Sequence, residues 1–284
     1  MAATSHAPAS QPVPVLRITP PGRWWALPIG ELWESRELLY FFVWRDIKIR
    51  YKQTAIGAAW AVLQPVLATV MNTVIFGRLA HISSGDLPYP IFNLAALLPW
   101  MYFSNALQNA TNTIVENQRV ITKVYFPRLT LPISAVAAGL VDFGISFCIF
   151  GVFMVWYRIQ PTFAIFWLPL LLLLTVLSAL GAGLWLSAVN AIYRDVRYVL
   201  PFLVQIWWIA SPVVYSSSHI SQKWQWLYGL NPMAGVIEGF RWSLTGHGDP
   251  PVKLLVESTC VVTVLLLSGM AYFQKMESTI EDVV

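Results

Sequence analysis

Apolar residues occur along this chain in long runs, separated by short segments that are polar or rich in proline and glycine. A helix needs about 20 mainly apolar residues to cross the roughly 30 Å hydrocarbon core of a bilayer. Six runs are about that long: residues 57–76, 88–115, 129–157, 161–193, 198–215 and 254–274. The pattern predicts an all-α integral membrane protein with six transmembrane helices.

The composition supports a membrane location. Hydrophobic residues make up 57% of the 284 residues and charged residues only 11%, against about 25% charged residues in soluble proteins. The net charge of +4 comes from Lys and Arg residues that flank the apolar runs and do not line one polar face. Nucleic-acid binding is therefore not indicated.

Lys and Arg also predict the orientation, because cytosolic loops carry an excess of them. If both termini are cytosolic, the cytosolic segments hold thirteen of the 18 Lys and Arg residues. An even number of crossings agrees with that arrangement. We therefore expect both ends in the cytosol, with a flexible proline-rich tail over residues 1–30 and a short C-terminal tail over residues 275–284.

The segment 31–54, before the first span, mixes apolar and cationic residues. Such a helix can lie in the membrane interface, with apolar side chains among acyl chains and cations near lipid headgroups. The cations nearest the first span are Arg45, Lys48, Arg50 and Lys52. A cytosolic helix that caps the bundle is the alternative, and the cations are then ordinary positive-inside charges.

A short charged segment, residues 116–127, separates the second and third runs. Four apolar residues fall on one side of two helical turns: Val120, Ile121, Val124 and Tyr125. Charged residues surround them: Glu116, Arg119, Lys123 and Arg128. A helix this short is not stable alone, so the pattern predicts a cytosolic docking helix. A solvated turn carrying positive-inside charges is the alternative.

Residues 216–251 are too polar and too often interrupted by Gly and Pro to form another crossing. Within them we predict two short re-entrant helices over residues 217–243, with Gly235 and Gly239 at a close-packing interval and Glu238 paired with Arg241. Non-helical backbone at membrane depth is tolerated only against protein or water. The outer end should therefore enclose a wet vestibule.

Several predicted spans contain amides and aromatic rings that lipid does not favour. The first group forms the candidate channel lining: Trp60, Gln64, Asn72, Gln205, Trp207, Trp208 and Tyr215. Others share the same spans: Trp100, Tyr102, Phe103, Asn105, Gln108, Asn109 and Asn112. Amides also join helices and aromatic rings also form interfacial belts. As a set, they suit a lumen that binds sugars.

Motifs for catalysis do not occur in the sequence. It has no phosphate-binding G-x-x-x-x-G-K-[ST] loop, no H-E-x-x-H and no G-x-S-x-G. Its His residues lack metal-ligand spacing, and Cys148 and Cys260 both lie inside predicted spans. Asp142 is the one acid deep in a span, which makes it a functional candidate. We expect it to pair with an amide or with water, and a proton relay is the alternative.

Four segments, taken together and in their order along the chain, form a recognisable pattern: "RDIKIRYKQTAIGAAWAVLQPV" (45–66), "ENQRVITKVYFPRLTLP" (116–132), "NAIYRDVRYVLPFLVQIWWIASPVVY" (190–215) and "LNPMAGVIEGFRW" (230–242). Together they resemble the ABC-2 type permeases that export polysaccharides such as O-antigen, capsule and teichoic acid. The resemblance covers residues 31–274, which it implies form one transmembrane domain with the ABC-2 exporter fold.

The resemblance implies a homodimer in the bacterial inner membrane that works with two ATPase subunits. Those subunits bind ATP and Mg, and this chain carries no cofactor. The transported molecule is a glycan linked to undecaprenyl diphosphate. The loop 116–127 corresponds to the coupling helix that docks on the ATPase. The segment 31–54 corresponds to the interfacial helix beside the site where the lipid enters.

Other functions remain open at this point. An ABC-2 permease for a drug or small lipid would share the coupling helix and need no sugar-binding lumen. A membrane-embedded acyl- or glycosyltransferase would use Asp142 or Glu238 as its base. A membrane scaffold would not need the polar residues in the spans.

Overall fold

A computed structural model of the chain describes residues 29–52, 59–124, 126–217, 224 and 228–283. In these ranges all regular secondary structure is helical. The helices are α1 (Ile29–Glu34), α2 (Arg36–Lys52), α3 (Ala59–Asn72) with a π-helical continuation (Thr73–Leu79), α4 (Tyr89–Glu116), α5 (Gln118–Ile121), α6 (Thr130–Tyr157), a 3₁₀ turn (Phe163–Trp167) that leads into α7 (Leu168–Ile192), α8 (Val196–Ala210), α9 (Pro232–Thr245) and α10 (Val252–Val283).

Local chemistry explains several helix ends. Helix α4 begins directly after Pro88. Helix α6 ends at Arg158, whose left-handed backbone (φ 56°) cannot continue a right-handed helix. Helix α9 begins at Asn231, whose side-chain oxygen accepts a hydrogen bond from the Met233 N–H. It ends at Gly246 with φ 67°, a conformation that glycine adopts readily.

Within the described ranges, four helical stretches are long and apolar enough to cross a membrane: Ala59–Leu79, Thr130–Tyr157, Phe163–Ile192 and Val252–Glu277. They coincide with the first, third, fourth and sixth predicted spans. The other two predicted spans are also helical, as the 28-residue α4 and the 15-residue apolar α8. That α4 and α8 also cross the bilayer, which would make six spans, stays a prediction.

Helix α4 lies at the centre of the bundle. It packs against α3, α6, α7 and α9, and side chains along its length, such as Leu94, Phe103 and Leu107, are fully buried. A helix surrounded by protein does not need an apolar surface on every side. This position explains why α4 carries many amides and hydroxyls and is less apolar than α3, α6 and α7.

Small residues allow the closest helix crossings. A Cβ atom on Gly235 of α9 would lie 2.4 Å from the Leu254 carbonyl oxygen of α10, and Gly239 is packed almost as tightly. The close packing predicted for these two glycines is confirmed. Helices α7 and α10 meet in the same way, because a Cβ on Gly269 would lie 2.5 Å from the Gly181 carbonyl oxygen.

The predicted interfacial segment forms α1 and α2. Helix α2 packs on α6 through residues such as the buried Phe42, while Tyr40, Phe41 and Trp44 are exposed. Exposed aromatic rings on a cation-bearing helix suit a membrane interface. At the other end, α10 continues without a break to Val283, so the predicted C-terminal tail after residue 274 is the end of a helix.

Only part of the predicted re-entrant region is described, because residues 218–223 and 225–227 lie outside the described ranges. The described part includes α9, which is almost entirely buried and packs against α4, α7 and α10. That α9 dips into the outer leaflet stays a prediction.

Candidate functional site

The intramembrane Asp142 is bound by two residues from the end of α2. Arg50 forms an ion pair with its carboxylate, and the Tyr51 hydroxyl donates a hydrogen bond to it. These partners are not the amide that we expected, because the last turn of α2 packs directly over this part of α6. Burial, and then the hydrogen bond to Asp142, raise the pKa of Tyr51 to about 12. The phenol is therefore a protonated donor at neutral pH.

This ion pair lies at one edge of a cavity of about 650 Å³ between α2, α3, α4 and α6. Two members of the predicted channel lining, Trp60 and Gln64, contribute to its wall. So do three residues from the wider polar set: Tyr102, Asn105 and Asn109. The cavity thus combines a charged edge, amides and aromatic rings.

The other five predicted channel residues lie elsewhere. Three of them make hydrogen bonds within the bundle. The Asn72 amide donates to Asn93 Oδ1 at 3.2 Å, and Trp207 Nε1 donates to Asn231 Oδ1 at 2.9 Å. The Tyr215 hydroxyl donates to the Ile209 carbonyl at 3.2 Å. The Trp208 ring meets Phe76 edge-on at 6.0 Å between centroids, and Gln205 is exposed on α8. Within this chain these five serve helix contacts or face outward. Their role in a channel stays a prediction.

The four cations of α2 occupy different surroundings. Arg45 binds Asp46 at 2.8 Å, Lys48 lies over the Trp44 ring at 5.1 Å from its centroid and Lys52 is exposed. Of these four described residues, Arg50 is the one that lines the cavity. A shared role in attracting a lipid headgroup stays a prediction.

The predicted docking segment is compact and close to the protein surface. Backbone hydrogen bonds of helical type continue from Asn117 to Val124, although α5 proper is only four residues long. Val120 and Ile121 pack partly onto a small core around Phe42, Ile114 and Phe126. The remaining surface is formed by exposed residues: Glu116, Arg119, Lys123 and Val124. Tyr125 lies outside the described residues.

Arg128 has a different place from the other charged residues of this segment. Its side chain is only 9% exposed, and its Nη1 donates to the carbonyl oxygen of Glu277 at 2.8 Å. The residue therefore ties the segment after α5 to the end of α10. Nothing in the spacing of the sequence indicated this long-range contact.

The predicted pair of Glu238 and Arg241 is confirmed. Arg241 Nη1 lies 2.8 Å from Glu238 Oε2, and both side chains are almost fully buried. Arg241 also donates to the Pro212 carbonyl at 2.7 Å, and Glu238 Oε1 accepts from the Ser217 N–H at 2.6 Å. The pair thus holds the irregular chain that follows α8, a role that the sequence did not reveal.

A second, polar cavity of about 520 Å³ lies beside that pair, among the loops around residues 83–87 and 245–249. It lies at the N-terminal end of α4, whereas α5 follows its C-terminal end. A helix of 28 residues is about 42 Å long. The two features therefore lie at opposite ends of the bundle, and the 650 Å³ cavity contacts the middle of α4, between Leu98 and Asn109.

The sequence matches the family described as ABC-2 type transporter over residues 37–245. The chain belongs to the ABC-2 type transporter family. Among similar proteins, the O-antigen export system permease protein RfbA of Myxococcus xanthus is 28% identical over 249 residues, which cover 87% of this chain and 95% of that protein. RfbA of Klebsiella pneumoniae is 25% identical over 242 residues, covering 85% of this chain and 92% of that protein.

A third relative of this ABC-2 protein is the polysialic acid transport protein KpsM of Escherichia coli. It is 28% identical over 241 residues, covering 82% of this chain and 91% of that protein. All three alignments extend over nearly the whole relative. The family predicted from the four sequence segments is therefore confirmed, and the chain is a multi-pass membrane protein.

Proposed function

We propose that this chain is the permease subunit of an ATP-driven exporter that moves a polysaccharide linked to undecaprenyl diphosphate, such as an O-antigen, across the inner membrane. The observation that carries the proposal is the alignment with an O-antigen export permease over 95% of that protein's length. A match of that extent includes the spans, the loops and their order, and is more than a shared local motif.

The geometry agrees with a transport role. The chain presents long apolar helices to a membrane and keeps amides, aromatic rings and one ion pair around an open cavity. Amides bond sugar hydroxyls, and aromatic rings pack on the flat faces of sugars. In this proposal the chain performs no reaction itself.

Energy would come from two ATPase subunits that bind ATP and Mg. The exposed part of the docking segment, including Arg119, Lys123 and Val124, offers both charge and apolar surface for this contact. Helices α3 and α8 would meet their counterparts in a second copy, because both expose apolar residues such as Leu67 and Phe202. ATP-driven closure would then push on α5 and shift α3 and α8 at the dimer axis.

The orientation in the proposal follows from the distribution of Lys and Arg. The ends of the chain and the docking segment are cytosolic, where the ATPase subunits are. The second, 520 Å³ cavity is then at the outer end of the bundle. That cavity is the described feature that best corresponds to the vestibule expected from the sequence.

Deletion of the gene, followed by complementation, tests the function. We expect lipid-linked glycan to accumulate inside the deletion strain, as measured by mass spectrometry, and surface polysaccharide to disappear. The wild-type gene should restore both. Unchanged glycan with altered drug or small-lipid efflux would instead indicate the rival ABC-2 function. Activity of the purified chain without an ATPase would indicate a membrane enzyme.

A further inference from the structure

The 650 Å³ cavity contains hydrogen-bonding groups that the protein leaves unused. Gln64, Asn105 and Asn109 line the cavity and make no side-chain hydrogen bond to another described residue. Asn105 and Asn109 are four residues apart on α4, so they project from the same face of the helix. Trp60 supplies an aromatic surface beside them. Free amides next to a flat ring are well suited to bind a sugar.

The charged edge of the same cavity already binds an anionic group. Arg50 and Tyr51 both donate to the Asp142 carboxylate. Phosphate offers a guanidinium the same kind of charged acceptor oxygens as a carboxylate does. The Arg50 and Asp142 side chains are 31% and 25% exposed, so a ligand in the cavity can reach both. Arg50 and Tyr51 are therefore placed to donate together to one anionic group.

We propose that this cavity binds the phosphate–sugar junction of the lipid-linked glycan, and that the phosphate displaces Asp142 from Arg50 and Tyr51. The inference rests on the proposed function and assigns one part of the substrate to one site. The cavity volume is in the range of small-molecule sites, about 300–1,000 Å³. It therefore accommodates one or two sugars with their phosphates, while the rest of the glycan lies outside it.

The position of the cavity suits an amphiphilic ligand. Its charged edge is formed by the end of α2, and the exposed rings of α2 (Tyr40, Phe41 and Trp44) face the surroundings of the bundle. A prenyl tail can remain in the membrane beside α2 while the diphosphate reaches Arg50. The two phosphates carry more negative charge than one carboxylate, so they attract the guanidinium more strongly.

Asp142 has a clear purpose in the absence of substrate. An unpaired guanidinium in a low-dielectric environment is costly, and a counter-ion on α6 removes that cost. The same counter-ion competes with any anionic ligand. Neutralising it while keeping its shape should therefore strengthen substrate binding, whereas a purely structural ion pair would give no such gain.

Binding measurements on the full-length protein in nanodiscs test the inference. The probes are undecaprenyl diphosphate carrying one hexose, undecaprenyl diphosphate, undecaprenol and inorganic pyrophosphate. We expect Asp142→Asn to bind the hexose-bearing lipid about tenfold more tightly and Arg50→Gln about tenfold more weakly than wild type, the size of effect for one charge-assisted contact. Arg36→Gln removes the same charge from the exposed start of α2, outside the cavity, and should change affinity by about twofold or less.

The amides give a second test that leaves the ion pair intact. Asn105→Ala and Asn109→Ala should weaken binding of the hexose-bearing lipid and leave the affinity for undecaprenyl diphosphate unchanged. Undecaprenol, which lacks phosphate, should bind far more weakly than either. These comparisons remain decisive even if Asp142→Asn fails to fold.

Three results would overturn the inference: equal affinity of wild type and a folded Asp142→Asn, equal losses from Arg50→Gln and Arg36→Gln, or tighter binding of inorganic pyrophosphate than of the lipid diphosphates. The last would identify the ligand as a soluble anion. The proposed function is tested separately by the deletion strain. If the chain restores glycan export but gives any of these three results, the proposed function stands and the proposed phosphate site is rejected.

Discussion

Replacement of Gly235 by alanine would test the close crossing between α9 and α10. A methyl group there would lie 2.4 Å from the Leu254 carbonyl oxygen and 2.7 Å from Ser258 Oγ, whereas ordinary contacts begin at 3.4 Å. The helices would have to separate by about 1 Å, because tightly packed interiors have no space to absorb the methyl group. The hydrogen bond from the Gly235 N–H to Ser258 Oγ, now 3.0 Å, would lengthen as well.

The expected loss of stability follows from these two effects. Overpacking of a tight core site costs about 1–3 kcal/mol, and a weakened hydrogen bond adds about 1 kcal/mol. We therefore expect Gly235→Ala to destabilise the protein by about 3 kcal/mol. Gly144 on α6 is the matched control, because its Cβ would meet nothing within 4 Å. There alanine should be neutral or stabilise the helix by about 0.5–1 kcal/mol.

Thermal melting in one detergent, followed by intrinsic tryptophan fluorescence at a fixed scan rate, measures the difference. A fixed rate is needed because unfolding of such proteins is often irreversible. We expect an apparent Tm several degrees below wild type for Gly235→Ala, and equal to or above wild type for Gly144→Ala. If Gly235→Ala melts with or above wild type, the close approach of α9 and α10 is refuted.

Three further predictions concern the docking segment and the orientation. Val124→Asp places a charge at a position where the side chain is 57% exposed. The variant should lose both co-purification with the ATPase subunits and substrate-stimulated ATP hydrolysis. Retention of both would exclude docking at this position. Arg128→Ala removes the donor to the Glu277 carbonyl and should cost about 1–3 kcal/mol, seen as faster hydrogen exchange in the last turns of α10. Arg128→Lys should restore part of that protection, and unchanged exchange in both variants would count against the contact. In a cysteine-free background, Thr122→Cys should resist an impermeant thiol reagent on intact cells while His247→Cys reacts, and the reverse pattern would invert the topology.

The two contacts made by α2 and by the end of α10 give the docking segment a structural context. Val120 and Ile121 rest on a core that includes Phe42 of α2, and Arg128 is bonded to the end of α10. A force applied at α5 would therefore reach both helices directly. Helix α2 also carries Arg50, so the helix against which the docking segment packs also contributes to the proposed phosphate site.

The sequence alone determined where the helices lie. The run 88–115 became α4 (Tyr89–Glu116), and the run 129–157 became α6 (Thr130–Tyr157). These boundaries depend on neighbouring residues, since proline, glycine and charged residues interrupt apolar runs locally. The pair of Glu238 and Arg241 was predictable for the same reason, because residues three apart on a helix are neighbours.

Only the tertiary structure decided which polar residues share a site. Asn105 and Asn109 line a cavity, whereas Asn72 bonds Asn93 and Gln205 faces outward, and composition does not distinguish these four amides. The partners of Asp142 come from α2, 91 and 92 residues earlier in the chain. Contacts over such separations depend on how helices pack, and helix packing is set by many side chains together, so no local pattern encodes them.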